Sequence, residues 1–483
     1  MRDGKSFTWI FPLFVTVSLL LLLPAGRWKL PPEVIRHSLE QVYPLNRSGS
    51  VASAFSPVFH LADHRADPGQ RPKNSPSFSR ETDGTAILFT HIGDGEIPGT
   101  DRSFKTTLFL INDTSHVSEG RIEFYDDQGD PLAITVDETT SSSFPISLQP
   151  SSLTRIVTAG SGAVKSGWAH VHASQPLIGA GTFGIIDGQD RILTEVGIPE
   201  GIPGKDFTLF ADMIGISRTG LALSNPSSSE EAVIAIELND REGNLLATQQ
   251  WRLSPLGLRA RFIDEFFAEV AGIQELEGSL HITSDTDFSG ITLRSTGDQL
   301  TSMPLVPAPG EGAEWTKLAF PHIGDGSAGL LTIRSSVILI NNTTETTVGQ
   351  VEFFASDGNA MLLTAGGSEG SAFEVTIPAG GVYRLTTDAA GTLQAGWARV
   401  TMDQPIEGTA LYTLEDAQGN LQTEVGVSSA ALQQEFILIA DSIGQANTGI
   451  ALVNPVPESE RRTISLDLDL YAHDQAGRTA GVS

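Results

Sequence analysis

Two stretches put side chains capable of proton transfer beside glycines. "FTHIGDG" at 89–95 carries His91 and Asp94, and "FPHIGDG" at 320–326 carries His322 and Asp325, with the histidines 231 positions apart. A histidine close to an aspartate held between two glycines is what a catalytic loop with an imidazole base would carry. A second set, His170 and His172 in "SGWAHVHA", is spaced i, i+2, which on a strand turns both rings to one side as metal ligands require. A third is the acidic turn "DDQGD", where Asp126, Asp127 and Asp130 offer carboxylates to Ca²⁺. Trp251 and Trp315 are candidate ligand platforms, because Trp9 falls in the N-terminal apolar run and Trp168 and Trp397 sit between small residues in core-like strands.

Each candidate is weighed against the other copies of its own pattern. Four strand-like runs end in Asn before a turn: "LFLIN" (Asn112), "LALSN" (Asn225), "VILIN" (Asn341) and "LALVN" (Asn454), spaced 113, 116 and 113 residues apart. Before the second and fourth runs, Ile214-Gly215 and Ile443-Gly444 keep the Ile-Gly pair, but Met213 and Ser442 replace the histidine. Near the Asp position stand Ser217 and Gln445. What all four share is an apolar residue and a glycine, so the motif reads as a backbone turn at the seam of a building block. His170 and His172 are matched by Arg399 and Thr401, which cannot repeat a metal site, so an exposed strand face is the reading. The Asp-rich turn lacks the twelve-residue calcium loop with its closing Glu, and turn chemistry accounts for it.

Other chemistries are excluded by what is missing. There is no G-x-S-x-G elbow and no H-E-x-x-H, and "GIPGKD" lacks the Ser or Thr a phosphate loop needs after its Lys. The chain has no cysteine, hence no disulfide, thiolate site or thiol nucleophile. The net charge of −28 is concentrated in residues 84–483, where 20 basic face 51 acidic side chains. Such a surface repels nucleic acid and anionic headgroups. Asn46, Asn112, Asn341 and Asn342 lie in N-x-S/T sequons, which matter only in a glycosylating pathway.

The elements that must position these residues are short strands. "TTLFLIN", "GRIEFYD", "PLAITVD", "SSFPISL", "LTRIVTA", "SGWAHVHA", "LIGAGTFGI" and "RILTEVG" are runs of five to nine residues, several alternating apolar and polar. Turns such as "DDQGD", "NDREGN", "SDGN" and "EDAQGN" separate strands, with Gly placed for a bulged hairpin. About eight strands per ~110 residues is a β-sandwich profile. One helix is expected, "IDEFFAEVAG" at 263–272, capped by Asp264 and lying as a lid over an open end of a sandwich.

Alternate units match more closely. Trp168 in "SGWAHV" pairs with Trp397 in "AGWARV", and Glu195 with Glu424 in "TEVG", both at an offset of 229; residues 210–226 match 439–455. The expectation is an all-β chain of tandem β-sandwich domains, a two-domain block repeated with the last copy incomplete. A signal peptide or membrane anchor is expected at 1–26 from its basic start and apolar run, and a disordered Pro/Ser-rich linker at 27–83. Sandwiches are expected at 84–200, 205–308 and 314–428, with a partial one at 435–483. Its open half would belong either to a fragment or to a surface completed by a partner strand.

The motifs "TGLALSNP", "SGWAHV" and "TEVG" and their paired arrangement resemble the tandem immunoglobulin-like or fibronectin-type-III-like repeats of secreted and surface bacterial proteins. The resemblance is architectural and covers about 84–483. It implies an exported, non-enzymatic spacer, adhesion or interaction module with no cofactor, a protein or glycan partner, and membrane contact only through its N-terminus. The alternatives are a carbohydrate-binding array using Trp251 and Trp315, or the accessory region of an exported hydrolase.

Overall fold

The computed structural model describes residues 86–270, 272–273, 275–304, 306–307, 316–430 and 449–455, with isolated strands at 56–62, 435–439, 467–473 and 479–482. The N-terminal apolar run and Trp315 lie outside the described residues. Among those described, no helix is long and apolar enough to cross a membrane. The fold is all-β, built of antiparallel sheets of the sandwich type.

The first sheet runs in the order Ile192–Pro199, Ile178–Asp187, Arg102–Asn112, Ala86–Glu96, Lys165–Ala173, Ser118–Tyr125 and Ser143–Leu148, with Ser152–Val157 also on Arg102–Asn112. The third uses the same order: Leu421–Ser428, Glu407–Glu415, Leu331–Ile340, Lys317–Ala328, Gln394–Met402, Thr347–Ala355 and Ala372–Ile377, with Val382–Thr386 on Leu331–Ile340. The second is organised by the 22-residue strand Glu275–Thr296. Its first half pairs with Gly204–Ile214 and Ala232–Asp240, and its second half with Ser217–Ser224 and Gln299–Pro304. A fourth sheet has the order Glu435–Ile439, Ser56–Ala62, Asp467–His473 and Thr479–Val482. Ser56–Ala62, expected within a disordered linker, is therefore a paired strand.

Alternation decides which side chains are inside. Along Ala232–Asp240 the residues Ala232, Ile234, Ile236 and Leu238 are buried while their neighbours are more open. These pack with Leu280, Ile282, Phe207 and Trp251 into one core. Trp168 and Trp397 are core residues as the sequence implies, although the Trp168 Nε1 also donates to the Leu256 carbonyl at 2.7 Å, tying the first sheet to a turn of the second.

The expected helix is a fragment. Only Ile263–Phe266 is α-helical, followed by a 3-10 turn at Ala268–Val270. Asp264 does not cap it: its carboxylate takes the Arg218 guanidinium at 2.7 and 2.9 Å, while Glu265 accepts the Phe262 amide. Ile263, Phe267 and Val270 are buried in the second core, with Phe266 edge-on to Trp251, so the segment is a plug in the core.

Candidate functional site

The glycine motif is not a turn. Residues 86–96 and 317–328 are continuous strands, each with a register shift inside the motif, between Phe89 and Ile92 and between Phe320 and Ile323. Each strand keeps the same neighbour across the shift and exchanges it for another only at the glycine that ends the motif, Gly95 or Gly326. Ala86–Glu96 pairs with Lys165–Ala173 up to Asp94 and then with Arg102–Asn112 from Gly95. Gly95 has φ +114° and a Cβ there would meet the Ala163 carbonyl oxygen at 2.5 Å. Gly326 repeats this with φ +111° and the Thr392 carbonyl oxygen at 2.5 Å.

The aspartates of the motif hold backbone. Asp94, 1% exposed, accepts the Gly160 amide at 2.7 Å, and Asp325, fully buried, accepts the Ala389 amide at 2.9 Å. Gly160 and Ala389 have φ of +69° and +55°, so each carboxylate secures a left-handed corner. His91 lies edge-on to Phe183 with its Nδ1 enclosed and unpartnered, and His322 lies against Tyr412. Burial alone lowers each imidazole to about 4. Among the described residues no carboxylate is paired with either ring, and no acid–base pair is assembled there.

His170 and His172 are brought together, with ring centroids 4.0 Å apart on a ladder that continues through Trp168 to Tyr125. The expected exposed face is half right: His170 is buried and His172 is partly open, its Nε2 at 3.2 Å from Glu123. Burial, then the neighbouring His172, lowers His170 to about 4, and burial lowers His172 despite Glu123. Glu123 is also engaged by Arg121 at 2.9 Å. Among the described residues no group of three or more His, Asp or Glu is arranged to hold a metal ion.

These imidazoles give the fold an acid limit. Unfolded histidine titrates near 6.5, whereas His91, His170 and His322 titrate near 4 when folded. Below pH 6.5 the unfolded chain takes up protons that the folded one refuses, so stability falls as pH drops from 6.5 towards 4. Each ring withholds on the order of 2 kcal/mol at pH 4.5. Urea unfolding of His91→Gln at pH 7 and pH 4.5 is expected to lose less between the two values than the parent; an equal loss would contradict this account.

Asp126, Asp127 and Asp130 form a hairpin turn. Asp126 Oδ1 accepts the Gln128 and Asp130 amides, both at 2.9 Å, and Gly129 takes φ +88°. Asp240 and Asp416 do the same for Glu242 and Asn244, and for Gln418 and Asn420. Of the three carboxylates offered to Ca²⁺, that of Asp126 is thus engaged by its own turn. Gly129 is pressed against the second sheet, where a Cβ would meet the Pro255 carbonyl oxygen at 2.2 Å, and Gly243 against the third, with the Ala379 carbonyl oxygen at 2.1 Å. Main-chain bonds complete both junctions, Leu258 N to Asp127 O at 3.3 Å and Val382 N to Arg241 O at 2.9 Å.

Trp251, expected as an exposed platform, is 1% exposed. It is in phase with buried Ala247 and Leu253, packs on Phe266, and carries Arg259 over its ring at 4.9 Å. It cannot offer a face to a sugar.

The strand-ending asparagines are staples. Asn112, Asn225 and Asn341 are fully buried, and each Nδ2 reaches three carbonyls: His116, Leu148 and Gln149; Glu230, Leu253 and Ser254; Glu345, Ile377 and Pro378. Thr114 and Thr343 donate their hydroxyls back to the Asn Oδ1 at 2.7 Å. The two sequons at Asn112 and Asn341 are therefore internal hydrogen-bond units, with the amide nitrogen committed.

Two charged sites went unread in the sequence. Arg294, 4% exposed, grips Asp212 through Nε at 2.8 Å and Nη2 at 3.0 Å, and its Nη1 donates to Glu424. Arg384 adds contacts to Asp212 at 3.4 Å and Glu277 at 3.5 Å. Burial pulls the Arg294 pKa down, but Asp212 and Glu424 outweigh it and hold the guanidinium charged. The cluster joins the second sheet to the third. The other is Glu407, 2% exposed, whose Oε1 accepts from Asn342 at 2.5 Å while Oε2 has no partner. Burial raises its pKa well above the ordinary value, Asn342 opposes that, and Asp206 adds to it. A raised carboxyl pKa favours folding below the ordinary carboxylate range, an advantage lost as pH rises through the folded value. Glu407→Gln is accordingly expected to raise the melting temperature at pH 8, with the gain shrinking towards pH 4; a lower melting temperature at pH 8 would refute it.

No family model and no curated protein matches the chain. A chain from a solved structure titled "Crystal structure of the T13 IBDV viral particle reveals a missing link in icosahedral viruses evolution" aligns over 75% of this chain and 85% of that one, at 11% identity. Its TM-score is 0.10, and the likeness carries no argument about fold or function.

Proposed function

We propose that this chain is an exported, non-catalytic β-sandwich repeat protein, an extracellular spacer or adhesion module built from a duplicated two-sandwich block. The observation that carries the reading is that residues at equivalent places do the same structural task. Asn112, Asn225 and Asn341 staple strand ends, and Asp94 and Asp325 hold left-handed corners. Side chains able to do chemistry are spent on the backbone, which suits immunoglobulin-like or fibronectin-type-III-like modules whose product is a shape. Export is argued from the basic start and apolar run at residues 7–23, and the acidic body argues against nucleic acid as partner.

Two measurements test this. Fractionation of cells expressing the full chain is expected to place it outside the cytoplasm. The purified protein on beads is expected to bind a protein or glycan surface saturably without turning over ester, glycoside or peptide substrates. Turnover abolished by His91→Gln or His322→Gln would overturn the reading, as would cytoplasmic retention.

A further inference from the structure

The fourth sheet has a gap in its sequence order that the N-terminal region fills. Ser56–Ala62 lies between Glu435–Ile439 and Asp467–His473, antiparallel to both. In the second sheet the corresponding place, between Gly204–Ile214 and Ala232–Asp240, belongs to the first half of Glu275–Thr296. One flanking strand matches by sequence: "FILIADSIG" at 436–444 parallels "FTLFADMIG" at 207–215. The inserted strand matches too, "FHLA" at 59–62 against "LHIT" at 280–283, apolar-His-apolar in both. On that side the register agrees as well: His60 pairs with Ile437 as His281 pairs with Thr208, and those two partners occupy the same place in the matching strands. A segment so far upstream in the chain has no local reason to take that place or that register.

A second observation points the same way. Ile437 and Ile439 of the fourth sheet pack against Phe109, Ile111, Leu153 and Ile178 of the first. Between the second and third sheets the apolar contact is made by Phe210 and Met303 on Ile338, Ile340, Val382 and Leu411. Four members correspond at the single offset of 229: Phe210 with Ile439, Phe109 with Ile338, Ile111 with Ile340, and Leu153 with Val382. The fourth sheet meets the first as the second meets the third.

We propose that the chain closes on itself. Ser56–Ala62 is a donor strand that completes the fourth sheet in the place of a Glu275–Thr296-type strand, and that sheet docks on the first through the second-to-third contact. The partner of the donor strand is the same chain. This rests on the duplicated architecture proposed above, but not on export or adhesion.

The absence of native cysteine makes the test direct. His60 is paired with Asp469, so the full chain carrying His60→Cys and Asp469→Cys is expected to oxidise to a monomer with one internal disulfide, identified by mass in the linked peptides. The slipped pair His60→Cys with Leu470→Cys is one residue out of that register and is expected to give less than about a tenth of that yield. Ile439→Asp, which spoils the docking contact, is expected to lower the disulfide yield and to speed proteolysis of the C-terminal sheet about tenfold while residues 86–430 survive. No disulfide, equal yield in the slipped pair, or a disulfide joining two chains would overturn closure, and unchanged proteolysis of Ile439→Asp would overturn the docking. None of these results would disturb the staples and corners on which the duplicated architecture rests.

Discussion

Arg294→Ala is expected to lower unfolding stability by about 3–5 kcal/mol, the range for removing one partner of a buried ion pair. The cost does not come from lost attraction alone. Asp212 is fully buried and Glu424 nearly so, and without the guanidinium both carboxylates are left in a region that water does not reach. Arg384 contacts Asp212 only at 3.4 Å and does not reach Glu424 among its described partners. Replacing the three together, Arg294→Met with Asp212→Leu and Glu424→Leu, is expected to be close to neutral, since apolar packing of similar volume avoids desolvating charge. Chemical denaturation of both variants decides the matter. A loss under ~1 kcal/mol for Arg294→Ala would show that the cluster does not hold the second and third sheets together, and a triple variant as damaged as the single one would show that the cost does not come from the orphaned carboxylates.

Asn341→Ala is expected to cost about 2–4 kcal/mol, chiefly from the Ile377 and Pro378 carbonyls that lose the amide donor, while the Glu345 carbonyl and the Thr343 hydroxyl still bond each other. Asn341→Asp is the sharper variant. It keeps the shape but turns a carboxylate oxygen towards the carbonyls of Glu345, Ile377 and Pro378 in place of an NH₂ donor. It is expected to be at least as destabilising as alanine above pH 5 and to recover in part when the carboxyl is protonated. Thermal unfolding at pH 7 and pH 4 reads both, and an aspartate variant that melts with the parent at pH 7 would contradict the staple.

Much of this architecture is legible in the sequence because it depends on local pattern. Alternation along Ala232–Asp240 and the Asp-to-Gly turns identify strands and hairpins without tertiary information. The strand-ending asparagines are visible as a periodic signal, though their three-carbonyl geometry is not. The "HIGDG" motif misleads because glycines within a bulged strand have the composition of a turn. Residues 263–272 have helical spacing, yet Phe267 adopts φ −105° and ψ 100° and ends the helix after one turn, its ring claimed by the core around Trp251. Trp251 itself could have been placed from its phase with Leu253.

The ion cluster was out of reach for a different reason. Arg294 meets Asp212 across 82 residues and Glu424 across 130, and no spacing rule connects them. A charged residue inside an apolar run, as Asp212 is in "LFADMIG", was the available signal. The pairing of Ser56–Ala62 was hidden likewise, because one short alternating run amid Pro, Ser and Arg is outweighed by its surroundings.

The two hairpin tips that press Gly129 and Gly243 into carbonyl-lined sockets have a mechanical corollary. Plug and socket are both main chain, so these two contacts depend on the missing Cβ and not on the identity of the flanking turn residues. At these two positions any added carbon is vetoed by a neighbouring sheet's carbonyl, so a change there would be felt as a displacement of whole sheets rather than of one side chain.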